Sequence, residues 1–285
     1  MYCGIIGNVL FPVWFFQGIQ KMRYITILNM SGRICTMLGI FLLVKSPDDY
    51  ILAAFLQACT PLIAGIFSIV WLRKHYTGLF KLPPMDEIIN SYKEGWSIFV
   101  SSLAVNLYTA TNVVVLGMLT NNVIVGYYSA ADKLITCVRR GIYAVSDAIY
   151  PFISKMMKDD ISKGLQFIKK QIFLYLVVGL IGCTSLFFFS DTIVKLLFGA
   201  DYNLTVDVLR ILSFVPLAVA ISTVFGEETM LPLNMNSAYS RTLVLAAFFS
   251  LLSIFPLCYL WGAKGVAMTM LLTEFLIMII MGGLL

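Results

Sequence analysis

IKKQIFLYLVVGLIGCTSLFFF (168–189) carries no charged residue after Lys170. Wound as a helix at about 1.5 Å per residue, a run of this length nearly crosses the hydrocarbon core of a bilayer. Eight other stretches read the same way: 2–20, 24–44, 50–72, 95–118, 123–150, 206–225, 238–260 and 264–284. Together they take up almost all of the 285 residues. The sequence therefore predicts an all-α polytopic membrane protein with nine transmembrane helices.

Composition points the same way. Apolar residues make up 60% of the chain and charged residues 12%, about half the charged share of a soluble domain. The net charge of +5 comes from loop lysines. No basic run is interleaved with aromatics, so a nucleic-acid partner is not expected. Cys3, Cys35, Cys59, Cys137, Cys183 and Cys258 lie in apolar stretches without paired spacing and read as small membrane-buried hydrophobes. His75 stands alone in a charged loop. Neither a metal site nor a cofactor is expected.

Basic residues set the orientation. Twelve flank one side of the nine spans and four (Lys45, Lys195, Arg210 and Lys264) flank the other. The richer side is cytoplasmic by the positive-inside rule. The first span then runs inward and the C-terminus is cytoplasmic. Gly18-x3-Met22-x10-Arg33 recurs as Gly226-x3-Met230-x10-Arg241 at an offset of 208 residues. The repeat reads as two halves in parallel orientation. Residues 1–72 would be a partial N-terminal lobe of three spans, 73–93 with Pro83-Pro84 a cytoplasmic linker, and 94–285 a six-helix C-terminal lobe. Matching halves would put three further spans ahead of residue 1.

The fifth span carries the most chemistry. Asp132, Thr136, Arg139, Tyr143, Ser146 and Tyr150 are spaced 4, 3, 4, 3, 4, one stripe along a helix face. Lys133, Arg140 and Asp147 widen it, and Leu134, Ile135, Val138, Ile142, Val145 and Ile149 lie opposite. Such a helix could lie flat in the interface or hold a structural ion-pair network. A polar face lining a wet cavity in the bundle fits best, because a non-crossing helix would leave five lysines outside. Ser102, Asn106 and Thr109 form a matching polar face on the fourth span. Arg33 and Arg241 either snorkel to headgroups or face the cavity. Glu274 is a lone acid in the last span, suited to a proton relay or to pairing with a cation. Pro12, Gly18, Pro216 and Gly226 interrupt the first and seventh spans as hinges or ordinary kinks.

FPVWFFQGIQKM (11–22) resembles the signature region of O-antigen flippases of the Wzx type. These are polysaccharide transporters of the multidrug/oligosaccharidyl-lipid/polysaccharide exporter superfamily. VGYYSAADKLI (125–135), YPFISKM (150–156), VLRILSFVPL (208–217) and FGEETMLPLNM (225–235) resemble segments of that family in the expected order. The resemblance implies twelve spans in two six-helix lobes, of which this chain is similar to the last nine, in the bacterial inner membrane. It also implies a cargo, an undecaprenyl-pyrophosphate-linked oligosaccharide moved to the outer leaflet, and a cationic cavity whose counterpart here is Lys133, Arg139 and Arg140.

Physical chemistry suits that cargo. A pyrophosphate cannot enter hydrocarbon unpaired, and guanidinium groups match its oxygens bidentately. Ser102, Asn106, Tyr143 and Tyr150 could meet the sugars, while the polyprenyl tail stays among membrane lipids. A coupling ion, proton or sodium, could use Asp132, Asp147 or Glu274. Two alternatives stay open: a drug/cation antiporter of the same superfamily, and a membrane enzyme of glycan polymerisation. The first would want a net acidic cavity. The second would want an outer catalytic loop, and residues 190–205 offer Asp191, Lys195 and Asp201 without an acid–base constellation.

Overall fold

A computed structural model of the chain describes residues 2–19, 21–45, 49–75, 84–199 and 201–285, the side chains of Tyr2, Cys3, Met22, Tyr50 and Glu94 excepted. The described residues are helical, with no strand among them. The helices are α1 (Tyr2–Leu10), α2 (Val13–Gly18), α3 (Met22–Leu43), α4 (Tyr50–His75), α5 (Met85–Leu119), α6 (Asn122–Asp159), α7 (Ile161–Phe198), α8 (Asn203–Leu212), α9 (Val215–Phe225), α10 (Asn236–Trp261) and α11 (Ala263–Leu284). Seven helical stretches among the described residues are long and apolar enough to cross a membrane.

Two of the nine expected spans fall outside those seven, for different reasons. The first is broken at Phe11–Pro12 into α1 and α2, because proline has no N–H to continue the ladder and clashes with the preceding turn. The fifth is a continuous helix of 38 residues, α6, whose polar face lowers its hydropathy. The seventh bends between α8 and α9, immediately before Pro216. Part of the stretch expected as a linker is helical: α4 reaches His75 and α5 begins at Met85. Residues 76–83, including Pro83, lie outside the described residues.

The chain divides into two compact units, Met1–Pro84 and Met85–Leu285. In the first, α4 packs against α1 and α3 through small residues. A Cβ at Gly7 would strike the α4 backbone at Pro61–Leu62, and Gly32 sits against Thr60 and Ala64. Thr60 Oγ1 donates to Thr36 Oγ1 at 2.9 Å. Close backbone approach of this kind is how helices associate where lipid offers no hydrophobic drive. His75 ends α4 with its ring stacked on Trp71, centroids 4.3 Å apart.

In the second unit, α8 and α9 form the buried centre. Leu209, Leu212, Val215 and Val219 pack there with Ile135 of α6 and with Val266 and Met270 of α11. Around this centre stand α6, α7 and α11, and α10 packs on α5 and α11. The outward faces are bare and apolar: Phe173, Val178, Ile181 and Phe188 of α7 are all exposed, as a lipid-facing helix requires. Past Phe225 the backbone widens into a π-helical turn, Gly226–Met230, where Leu231 N–H donates to the Gly226 carbonyl at 3.1 Å.

The N-termini of α6 and α7 are capped by side chains. Asn121 accepts from the N–H groups of Val123 and Ile124 at the start of α6. Asp160, the one residue between α6 and α7, accepts from Ser162 and Lys163 N–H. Those N–H groups hold the Asp160 carboxyl below its ordinary pKa.

Candidate functional site

The polar face of α6 meets α5 across a cavity of about 400 Å³. Asp132, Thr136, Arg139, Arg140 and Tyr143 line it from α6, and Asn106 and Asn112 from α5. A second cavity, about 240 Å³, shares Asn106 and Tyr143 as walls and adds Ser102, Glu227, Tyr239 and Glu274. Polar groups thus converge within a unit whose outer faces are hydrocarbon-like.

Arg139 is the cation drawn deepest into this site. Its Nη2 lies 3.6 Å from Glu274 Oε1, with the two side chains 11% and 4% exposed. Tyr108 O–H donates to the same Glu274 oxygen at 3.1 Å, and Tyr143 lines the same cavity as Arg139. Glu274 is therefore no lone acid: α5, α6 and α11 meet on its carboxylate.

A second buried carboxylate lies at the π-helical turn. Glu228 has no solvent exposure. Ser146 O–H donates to its Oε1 and Gln171 Nε2 to its Oε2, each at 2.6 Å. Among the described residues no Lys or Arg forms an ion pair with it. Glu227, beside it, turns instead into the second cavity, within electrostatic reach of Asp147. Adjacent helical residues point about 100° apart, so one can meet a core network while the next meets a cavity, and π-turns recur at functional sites.

Residues 1–157 match the family described as polysaccharide biosynthesis protein. The chain belongs to that family. Two curated relatives bear the name "Putative O-antigen transporter". The Shigella dysenteriae protein is 31% identical over 277 residues, covering 97% of this chain and 69% of its own length. The Escherichia coli (strain K12) protein is 31% identical over 274 residues, covering 96% and 66%. The chain thus spans about two thirds of the length of those relatives. No solved structure shows significant similarity to it. The resemblance to O-antigen flippases carried by the five quoted segments is borne out by these matches.

The remaining candidate residues are distributed unevenly. Lys133 and Asp147 are exposed on α6 outside the first cavity, and Arg241 is exposed on α10. Arg33 is exposed on α3, in the other unit. Asn106 spends its Nδ2 on the Ser102 carbonyl at 2.8 Å. Tyr108, Gln171, Glu227, Glu228 and Tyr239 were not singled out by sequence reasoning. The signal available for Glu227 and Glu228 was a pair of adjacent acids at the end of an apolar span. Among the described residues no group of three His, Cys, Asp or Glu could hold a metal ion.

Proposed function

We propose that this chain takes part in moving an undecaprenyl-pyrophosphate-linked O-antigen repeat unit across the bacterial inner membrane. The observation carrying the reading is a guanidinium, Arg139, held in a polar cavity of an apolar helical unit. Membrane-embedded charge of this kind marks a substrate path. The names of the two relatives support the same cargo class. In this reading α1–α2 and α6 also cross the bilayer, so the chain has nine spans resembling the last nine of a 6+6 transporter, with a cytoplasmic C-terminus. Alternating access carries the head group, and the protein is a carrier, not an enzyme.

Arg139 and Arg140 hold the pyrophosphate, and Asn106 and Tyr143 meet the first sugars. Glu274, paired with Arg139, competes with the cargo anion for the same guanidinium. A pyrophosphate competing for Arg139 frees a buried carboxylate, which then needs a proton or sodium ion. Asp132 and Asp147 are the further ion-coupling candidates, and Arg33, Lys133 and Arg241 guide the head group from outside the cavity.

The test is binding in bilayer nanodiscs. Charge-assisted bonds are worth about 1.5–3 kcal/mol each. Arg139→Gln with Arg140→Gln should therefore weaken undecaprenyl pyrophosphate binding by roughly a hundredfold to ten-thousandfold. Arg140→Gln alone keeps the Glu274 pair intact and should still weaken binding. Unaltered affinity in both variants overturns the reading. Saturable binding of a quaternary ammonium dye in place of pyrophosphate would favour the cation antiporter.

A further inference from the structure

On its other flank α6 borders an apolar groove of about 330 Å³, walled by Val138, Gly141 and Val145 of α6, Val178 and Gly182 of α7, and Pro216 of α9. That volume is in the range of ligand sites. The walls are bare: Val138, Val145 and Val178 are exposed, as are Gly141 and Gly182. The glycines make the depth. A Cβ at Gly141 or at Gly182 would meet nothing within 4 Å.

The groove and the cationic cavity are two sides of the same helical turn. Successive α-helical residues are rotated by about 100°. Arg139 lines the cavity; Arg140, one step round, lines its edge; Gly141, one step further, is in the groove wall. The surface between them on α6, at Lys133, Cys137, Arg140 and Ala144, is exposed, with no other element of the unit covering it. A ligand fitting this whole surface needs an anionic head joined directly to a hydrocarbon tail. A free phosphate would leave the groove empty, and a plain hydrocarbon would leave the guanidinium groups unmatched.

We propose that the α6/α7/α9 groove seats the first isoprene units of a polyprenyl pyrophosphate whose phosphates lie at Arg139 and Arg140. The proposal rests on the cargo reading above and adds a place for the tail. Within a bilayer, leaving lipid for an apolar groove brings little hydrophobic gain. The groove therefore acts through packing contacts, and its use is to fix the direction in which the head enters the cavity.

The experiment is photolabelling of the full chain in nanodiscs of phosphatidylethanolamine and phosphatidylglycerol. The probe is undecaprenyl pyrophosphate with a diazirine on its first isoprene units. Label is expected on residues 138–145 and 178–186, competed by unlabelled undecaprenyl pyrophosphate and not by added phosphatidylglycerol. Gly141→Leu with Gly182→Leu adds bulk to the groove from two positions where a Cβ meets no neighbour within 4 Å. It should lower that label about tenfold, the loss of a few packed carbons, and leave inorganic pyrophosphate binding unchanged. Thermal unfolding verifies the fold, and the wild-type label map decides by itself if the variant does not fold. Competable label placed elsewhere overturns the groove and leaves the cargo reading standing. Groove label that phosphatidylglycerol displaces equally means ordinary boundary lipid and overturns the proposal. No competable label anywhere overturns both.

Discussion

Arg139 on α6 and Glu274 on α11 are 135 residues apart in sequence and 3.6 Å apart at their charged atoms. Removing either partner leaves the other charge buried, which costs about 3 kcal/mol or more, whereas removing both removes the conflict. Thermal unfolding in detergent should show Arg139→Gln and Glu274→Gln each strongly destabilising. The double variant should be milder than the sum, with a coupling above about 1 kcal/mol. Additive effects would mean that the pair is not an energetic unit.

Glu228 is held by two donors, so the shape of its replacement matters. Glu228→Gln keeps an acceptor for Ser146 and should cost about 1 kcal/mol. Glu228→Leu leaves both Ser146 and Gln171 unsatisfied in the interior and should cost about 2–4 kcal/mol. Unfolding of the two variants side by side measures the difference. Equal stability would mean that the network does not hold the fold together.

Gly265 faces Leu257 across the α10–α11 hairpin, where a Cβ would overlap the Leu257 carbonyl. That neighbour is backbone and cannot swing aside. Gly265→Ala should destabilise by about 3 kcal/mol or more. Gly126→Ala, on α6 with nothing near its Cβ, should gain roughly 0.5–1 kcal/mol from helix propensity. Membrane expression level and unfolding temperature report both, and a silent Gly265→Ala would show that the hairpin can open to admit a methyl group.

The orientation predicts opposite labelling at the two ends of α6. After replacement of the native cysteines, Asn122→Cys should react with an impermeant maleimide added to whole cells. Ser162→Cys should react only after the membrane is opened. The reverse pattern would invert the topology and place the lysine-rich junction of α6 and α7 outside.

The helical class and the polar stripe of α6 were legible because both are periodic: apolar runs set by bilayer thickness, and polar residues returning every three or four positions. Asp132, Thr136, Arg139 and Tyr143 do line one cavity. The partner of Arg139 was not legible, since nothing local distinguishes a Glu that meets an Arg from one that waits for a proton. Pro12 was read as a hinge or kink within a span, and its effect is larger, a break between two helices. Glu227 and Glu228 escaped notice because an α-helical pattern places neighbours 100° apart, and the wider turn alters that geometry without any mark in composition. Arg33 and Arg241 match in the repeat, and each lies exposed on its own helix.

The π-helical turn at 226–230 also constrains how this segment can change length. Its loop closes over one residue more than an α-helical turn would need. Deleting Gly226 or Glu227 lets the ladder tighten to ordinary pitch, which absorbs the loss beyond the turn but sets Glu228 back by one helical position, about 100°. Glu228 would swing away from Ser146 and Gln171 together, even where the residue removed was neither the acid nor a partner. In this stretch the number of residues matters physically as much as their identity, and an insertion or deletion of one should be more damaging than most substitutions.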